Sequence, residues 1–152
     1  MIQVAKRLIQ GLTLMMVLYA AYCIVQAPMA QPEAGGIAQK LFYCHLGSAG
    51  TMYAAFLAGL VSSLVYLRTR DEKWDQLTES CHEVGLVFCS LVLVSGPMWA
   101  RPVWGTWWRW EPRLLTFLIL WLSYAVYVVL RKSIPASPQL SKLSAIYAIL
   151  AF

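Results

Sequence analysis

The residues best suited to chemistry in this chain are tryptophans and arginines that lie close together in one short stretch. Five of the seven tryptophans fall within residues 99–110, and three arginines lie in or beside this run. Tryptophan combines a flat apolar face with an indole N–H at its rim, whereas arginine binds a carboxylate through two parallel hydrogen bonds. Such a surface suits either the membrane interface or a large planar ligand.

An aromatic belt at the membrane interface accounts for one or two tryptophans, but not for a cluster in one turn region beside arginines. A porphyrin has a broad apolar face and two carboxylates, and indole and guanidinium groups meet both needs. The sequence therefore favours a ligand platform over a plain belt. The candidate platform residues are Trp104, Trp107, Trp108, Trp110, Arg109 and Arg113.

Glu111 is the acid of this run and directly precedes Pro112. Proline favours the first position of a helix, and an acid there complements the positive end of the helix dipole. Glu111 could equally orient Arg109 or bind a cation of a partner. The sequence leaves these roles open, so Glu111 stays among the candidate site residues.

Two histidines are the obvious metal ligands, and we expect the topology to separate them. His45 lies at the outer mouth of the second apolar segment, where a neutral imidazole is a natural axial ligand of haem iron. A histidine bonded to a neighbouring loop is the alternative, but the nearby tryptophans and arginines favour iron. His82 lies in the capping box Ser80-Cys81-His82-Glu83, which predicts the start of the third helix on the inner side. The two ends of a span lie about 30 Å apart, so the two histidines cannot ligate one metal ion or one haem. We interpret His82 as structural because it lies in a capping box next to an inner loop.

The elements that must position these residues are membrane helices. The chain has 152 residues, of which 60% are hydrophobic and 12% charged, and its apolar residues form stretches long enough to cross a bilayer. We predict an all-α polytopic membrane helix bundle with four complete transmembrane helices and the start of a fifth, in one membrane domain over residues 1–152. The predicted helices are 8–27, 46–67, 81–98 and 112–130, with a partial helix at 143–152 and an outer loop at 99–111.

The first apolar segment could instead be a signal peptide. Lys6 and Arg7 precede it, and Val25-Gln26-Ala27 resembles a cleavage site. The length of the apolar stretch and Pro28 after it favour an uncleaved helix.

Charge placement predicts the orientation of the helices. With the N-terminus inside, inner segments carry more lysine and arginine than outer ones, as the positive-inside rule requires. The inner cations are Lys6, Arg7, Arg68, Arg70, Lys73, Arg131, Lys132 and Lys142, and the outer ones are Lys40, Arg101, Arg109 and Arg113. The tryptophan-rich loop then faces outward, which is the periplasmic side in a Gram-negative host, and the formal net charge of +5 reports topology, not nucleic-acid binding.

The cysteines exclude two classes of redox protein. Cys23, Cys44, Cys81 and Cys89 form no Cys-x-x-Cys pair, and the sequence holds no Cys-x-x-Cys-His. The chain is therefore not itself a c-type cytochrome and has no thioredoxin-like site.

Residues 104–114 resemble the WWD signature, Trp-Gly-Thr-Trp-Trp-x-Trp-Asp-x-Arg-Leu, of the haem-handling proteins of c-type cytochrome biogenesis. The chain is most similar to the CcmC type of that family, which also includes the CcsA-like proteins. Gly96, Trp99 and Pro102, and the step from Tyr43 to His45, fit the family in order and spacing. The resemblance covers nearly the whole chain.

The resemblance implies a protein that binds haem b on the outer face of the bacterial inner membrane. It implies that His45 is one axial ligand and that the four tryptophans of residues 104–110 form the platform. Haem would pass to a membrane-anchored periplasmic haem chaperone, alongside the subunits of an ABC transporter. Such a protein handles haem and is not an enzyme in its own right.

The chain departs from the family pattern in several places. The signature's aspartate is Glu111 here, Pro112 follows it, and Gly47 stands where family members commonly have proline. A helix over residues 143–152 rises only about 15 Å. Family members complete this helix and present a second histidine after it, so we expect a truncated or split gene product that lacks the second axial ligand.

Two other classes of function stay open. A membrane redox subunit could hold haem b for electron exchange with a quinol, although such subunits usually place histidine pairs within the helix bundle. An inactive or structural remnant of the assembly complex is the other alternative. Redox cycling with a quinol would favour the redox subunit, and failure to hold haem even with partners present would favour the remnant.

Overall fold

The chain folds into helices joined by short connections in this computed structural model, which describes residues 2–29, 36 and 38–152. The helices are α1 (Ile2–Gln26), α2 (Ala38–Thr69), α3 (Glu72–Trp104), α4 (Pro112–Ser133) and α5 (Pro138–Ala151). The described ranges contain no strand, and α1 to α4 are each long and apolar enough to cross a membrane. The prediction of an all-α, multi-pass membrane protein with four long spans and a shorter fifth helix is confirmed.

Helix α3 begins well before the capping box that was predicted to open it. Asp71 is the N-cap, and its side chain accepts a hydrogen bond of 3.0 Å from the backbone N–H of Lys73. The connection between α2 and α3 is therefore Arg70 and Asp71, whereas the predicted helices left residues 68–80 between them. The helix extends beyond its apolar stretch because Asp75, Thr78 and His82 share one face and are buried in the bundle.

The outer loop is also shorter than the predicted residues 99–111. Helix α3 continues through Pro102 to Trp104, so the loop covers residues 105–111. Gly105 ends the helix in the left-handed region with φ 75°, and its N–H donates to the carbonyl of Arg101 at 3.0 Å. Glycine adopts this conformation without the cost that a Cβ brings, which explains the glycine of the signature.

Helices α2 and α3 pack as a close antiparallel hairpin. Gly59 faces His82, and Gly85 faces Phe56: a Cβ at residue 59 would lie 2.6 Å from His82 Cε1, and one at residue 85 would lie 2.3 Å from Phe56 Cε1. Small residues let the two helices approach, as they commonly do in membrane bundles. Each glycine receives a ring from the opposite helix.

Helices α4 and α5 complete a bundle against this hairpin. Tyr124 of α4 stacks on Phe56 with ring centroids 3.8 Å apart, in a core cluster that also holds Met52 and Cys89. Trp121 Nε1 donates to Ser90 Oγ at 2.8 Å, which joins α4 to α3. Helix α5 begins at Pro138, earlier than the predicted residue 143. Its 14 residues give a rise of about 21 Å.

A buried ionic cluster joins α3, α4 and α5 at the end of the bundle opposite the loop of residues 105–111. The Arg131 guanidinium pairs with Asp75, donates to Glu79 Oε2 at 3.2 Å and donates to Ser141 Oγ at 3.1 Å. Ser141 Oγ in turn donates to Asp75 Oδ2 at 2.7 Å. Only 7% of the Arg131 side chain is exposed, so the charge is balanced by partners and not by water.

Helix α1 stands apart from this bundle. Its span over Lys6–Gln26 has none of its residues buried within the chain. The side chain of Lys40, near the start of α2, donates to the carbonyl of Val25 near the end of α1. The apolar surface of α1 is therefore available to lipid, whose tails are as apolar as the side chains of a protein core.

Candidate functional site

A cavity of about 380 Å³ opens where α3 meets the loop of residues 105–111. Its walls come from α2, α3, α4 and the loop, and they are mostly apolar. Its volume falls within the range of small-molecule sites, which are usually apolar with a few placed polar groups. The residues that line it include Phe42, His45, Ala49, Tyr53, Gly96, Trp99, Trp104, Trp107, Trp108, Arg113 and Phe117.

His45 lies in the second turn of α2, inside the helix and not at its mouth. The ring is half-buried and lines the cavity. Its Nδ1 lies 3.0 Å from Ser95 Oγ of α3. His45 is thus held by the helix bundle and not by a flexible loop.

Tryptophans that line the cavity contact neighbouring tryptophans edge to face. Trp99 and Trp104 meet at 79° with ring centroids 5.5 Å apart, and Trp108 and Trp110 meet at 73° with centroids 6.0 Å apart. Edge-to-face contacts suit the opposite charges of ring edge and ring face. The indoles therefore form walls around a space instead of filling it.

Glu111 bridges two arginines at the rim. Its carboxylate lies 3.8 Å from Arg109 and 3.7 Å from Arg113, and both guanidinium groups lie over the Trp104 ring at 5.0 and 6.0 Å from its centroid. Glu111 is also the N-cap of α4, although its side chain makes no capping bond. Of the open roles for this residue, the geometry fits orientation of the arginines.

The structure brings some of the sequence candidates together and leaves others outside. The cavity is lined by His45, Trp104, Trp107, Trp108 and Arg113. Trp110, Arg109 and Glu111 do not line it, and 80% of the Trp110 side chain is exposed. Residues that are close together in the sequence therefore differ in whether they line the cavity.

The sequence analysis did not identify the other residues of α2 and α4 that line the cavity. Phe42, Ala49 and Tyr53 line the cavity on α2, and they share a face with His45. Their offsets of three, four and eight residues from His45 are the spacing of one helix face. Extending that period from His45 would have found them, whereas Phe117 on α4 had no local signal.

The second histidine is buried far from this cavity. His82 is fully buried, its Nδ1 lies 2.6 Å from the carbonyl of Thr78, and its ring packs against Tyr124 and Tyr127. It precedes Ser95, the partner of His45, by 13 residues on α3, which is a rise of about 20 Å. His82 is therefore inside the bundle and not at its inner mouth, and it is too far from His45 to share one iron.

The groups that line the cavity are complementary to an apolar ligand that carries acidic groups. The Trp108 indole N–H is buried and has no hydrogen-bond partner, although buried donors are nearly always paired. A ligand oxygen would give it one. The Arg113 guanidinium in the wall supplies a cation for a carboxylate, and His45 supplies a metal ligand.

Comparison with known proteins identifies one family. The family described as Heme exporter protein C matches residues 1–152, the whole chain. The chain is 35% identical to Heme exporter protein C of Rhodobacter capsulatus over 99 residues, which are 65% of this chain and 41% of that protein. The corresponding protein of Paracoccus denitrificans gives the same identity and coverage.

A second group of relatives carries a related description. The Cytochrome c biogenesis protein CcsA of Prochlorococcus marinus is 39% identical over 74 residues, which are 49% of this chain and 23% of that protein. The matched region thus spans about two fifths of the length of the first group and about a quarter of the second.

Proposed function

Because this chain belongs to the family of Heme exporter protein C, we propose that it binds haem as a cargo during the maturation of c-type cytochromes. The observation that carries the proposal is the cavity that gathers His45, Trp104, Trp107, Trp108 and Arg113. These are the groups that an iron porphyrin needs: an imidazole for the metal, apolar walls for the ring and a cation for a carboxylate.

Each wall of the cavity has a proposed role. His45 binds the iron from α2, while the indoles of Trp104, Trp107 and Trp108 enclose the porphyrin from the loop side. Arg113 and the N–H of Trp108 bind acidic groups of haem b. Arg109, Glu111 and Trp110 lie next to this wall and complete the platform at its outer rim.

Delivery is the second half of the proposal. The chain lies in the bacterial inner membrane with its N-terminus in the cytoplasm and the tryptophan-rich loop in the periplasm. It hands haem to a membrane-anchored periplasmic haem chaperone, next to the subunits of an ABC transporter, and converts no substrate itself. The exposed rim of the loop supports this role, because a cargo bound beneath it can be reached from outside.

An absorption spectrum of the protein in mild detergent, oxidised and then reduced, tests haem binding directly. We expect a Soret band with reduced peaks of the b type. Changing His45→Ala removes the iron ligand that the cavity offers and should abolish or strongly weaken these bands. Cys44→Ala is the matched control, because the neighbouring Cys44 is exposed and does not line the cavity.

An unchanged spectrum in His45→Ala would contradict the ligand role. A well-folded parent protein that takes up no haem, even with its transporter partners present, would contradict the proposal as a whole.

A further inference from the structure

A side-chain hydrogen bond joins α2 to α3 beside the cavity. His45 Nδ1 and Ser95 Oγ lie 3.0 Å apart, and Ser95 Oγ lies 2.7 Å from the carbonyl oxygen of Leu91, one turn earlier on α3. Both side chains are half-buried, so the bonds are less exposed to competition from water than bonds on an open surface.

This pair of contacts favours one arrangement of the protons. A serine hydroxyl has one proton, and a carbonyl oxygen can only accept. When Ser95 donates its proton to Leu91, it presents a lone pair to His45, and the imidazole then carries its own proton on Nδ1. The neutral ring then has Nε2 as its unprotonated nitrogen, which is the form that binds a metal.

Gly96 leaves room for the imidazole in the position where this bond forms. A Cβ at residue 96 would lie 3.3 Å from His45 Cε1 and 3.8 Å from Nδ1, so a side chain there would crowd the imidazole. Ser95 and Gly96 are consecutive on α3, and they act on the same edge of the ring. Ser95 supplies the hydrogen-bond acceptor, and Gly96 leaves the space that the imidazole occupies.

We propose that Ser95 is a positioning residue, which fixes the tautomer and the plane of His45 so that Nε2 is presented to haem iron. The iron half of this inference rests on the proposed function, whereas the tautomer can be measured without haem. Metal-bound histidines are commonly held through their other nitrogen in this way, and losing the partner typically costs about 10-fold to 100-fold in metal affinity.

The tautomer is measured by nitrogen NMR on haem-free, histidine-labelled protein in detergent. The chain has two histidines, so the signals missing from His45→Ala are assigned to His45. We expect the Nδ1–H form in the parent and in Ser95→Thr, which keeps a hydroxyl. In Ser95→Ala we expect the Nε2–H form to become prominent, because a free imidazole favours it.

A matched control removes the same atoms from the same helix. The Ser80 hydroxyl donates to the carbonyl of Gln76 at 2.9 Å and is exposed. Ser80→Ala should leave the His45 signals unchanged. An Nε2–H form in the parent, or a tautomer that Ser95→Ala does not alter, overturns the inference.

The second part of the experiment measures the affinity for haem and the midpoint potential of the bound haem. Ser95→Ala should weaken haem binding about 10-fold to 100-fold and raise the midpoint potential, since an imidazole without its hydrogen bond donates less charge to the ferric iron. Ser95→Thr should restore both. Unaltered affinity and potential beside an altered tautomer overturn the positioning role, whereas a parent protein without haem overturns the proposed function and the iron half of this inference together.

Discussion

At the scale of single residues, position relative to the cavity separates side chains that look alike in the sequence. Trp108 is half-buried in the wall with an unpaired indole N–H, whereas the Trp110 side chain two residues away is 80% exposed. The signature presents both as platform tryptophans. The structure therefore places Trp108 in the cavity wall and Trp110 outside it.

Replacing Trp107 and Trp108 together by alanine should block haem transfer to the chaperone while the helices still insert, because two walls of the cavity are lost. Trp110→Ala is the matched control and should have a smaller effect, since Trp110 does not line the cavity. Transfer is followed by the appearance of haem on the chaperone. Normal transfer in the double variant would leave the tryptophans as an aromatic belt.

At the scale of helices, the α2–α3 hairpin depends on glycines that receive rings. Gly59→Ala would set a Cβ 2.6 Å from the fully buried His82. Because neither ring nor helix can move freely, we expect a loss of unfolding free energy of about 1–3 kcal/mol. Gly50→Ala is the control: it meets no atom within 4 Å and should stabilise α2 by about 0.4–1 kcal/mol.

Unfolding in detergent by a denaturing surfactant measures this pair of variants. Equal stability of the two would show that the close approach of α2 and α3 does not depend on the glycine at residue 59.

The ionic cluster gives a second prediction at this scale. Arg131→Ala leaves Asp75 buried without its cation, which should cost about 3–5 kcal/mol of unfolding free energy. Asp75→Ala in that background should recover part of the loss, because it removes the unpaired carboxylate. Lys132 is the control, since its pair with Glu83 is exposed and exposed pairs contribute little.

The same surfactant titration separates these variants. If Lys132→Ala lowered the free energy of unfolding as much as Arg131→Ala, burial of the Arg131 network would add nothing to stability.

At the scale of the whole molecule, the structure puts the cavity and the ionic cluster at opposite ends of one bundle. The cations Arg68, Arg70, Lys73, Arg131 and Lys132 lie toward the cluster end. Ionisable groups within membrane proteins are usually paired and face the bundle interior, as Arg131 does. The asymmetry predicts that the cluster end faces the cytoplasm.

Cysteine labelling in cells tests this orientation after the four native cysteines are replaced. Thr106→Cys in the tryptophan-rich loop should react with a membrane-impermeant maleimide in intact spheroplasts. Ala136→Cys, which lies in the exposed connection between α4 and α5, should react only after permeabilisation. The reverse pattern would place the cavity in the cytoplasm and rule out delivery to a periplasmic chaperone.

The sequence by itself determined the helices, the family and the position of the WWD loop. Those features depend on short stretches of chain: apolar length sets a span, and Gly105 and Pro112 end and begin helices through their own backbone preferences. Helix ends were less predictable, because the burial of two polar residues of α3 depends on other helices: Asp75 pairs with Arg131 of α4, and His82 packs against rings of α2 and α4.

The tertiary structure alone decided which candidates share a site. His45 meets Ser95 across 50 residues and Asp75 meets Arg131 across 56. Contacts of this kind depend on how helices are packed and rotated against each other, which the spacing along one helix does not record. The sequence therefore indicated which kinds of side chain the cavity would contain, and the packing of α2 on α3 determined which residues line it.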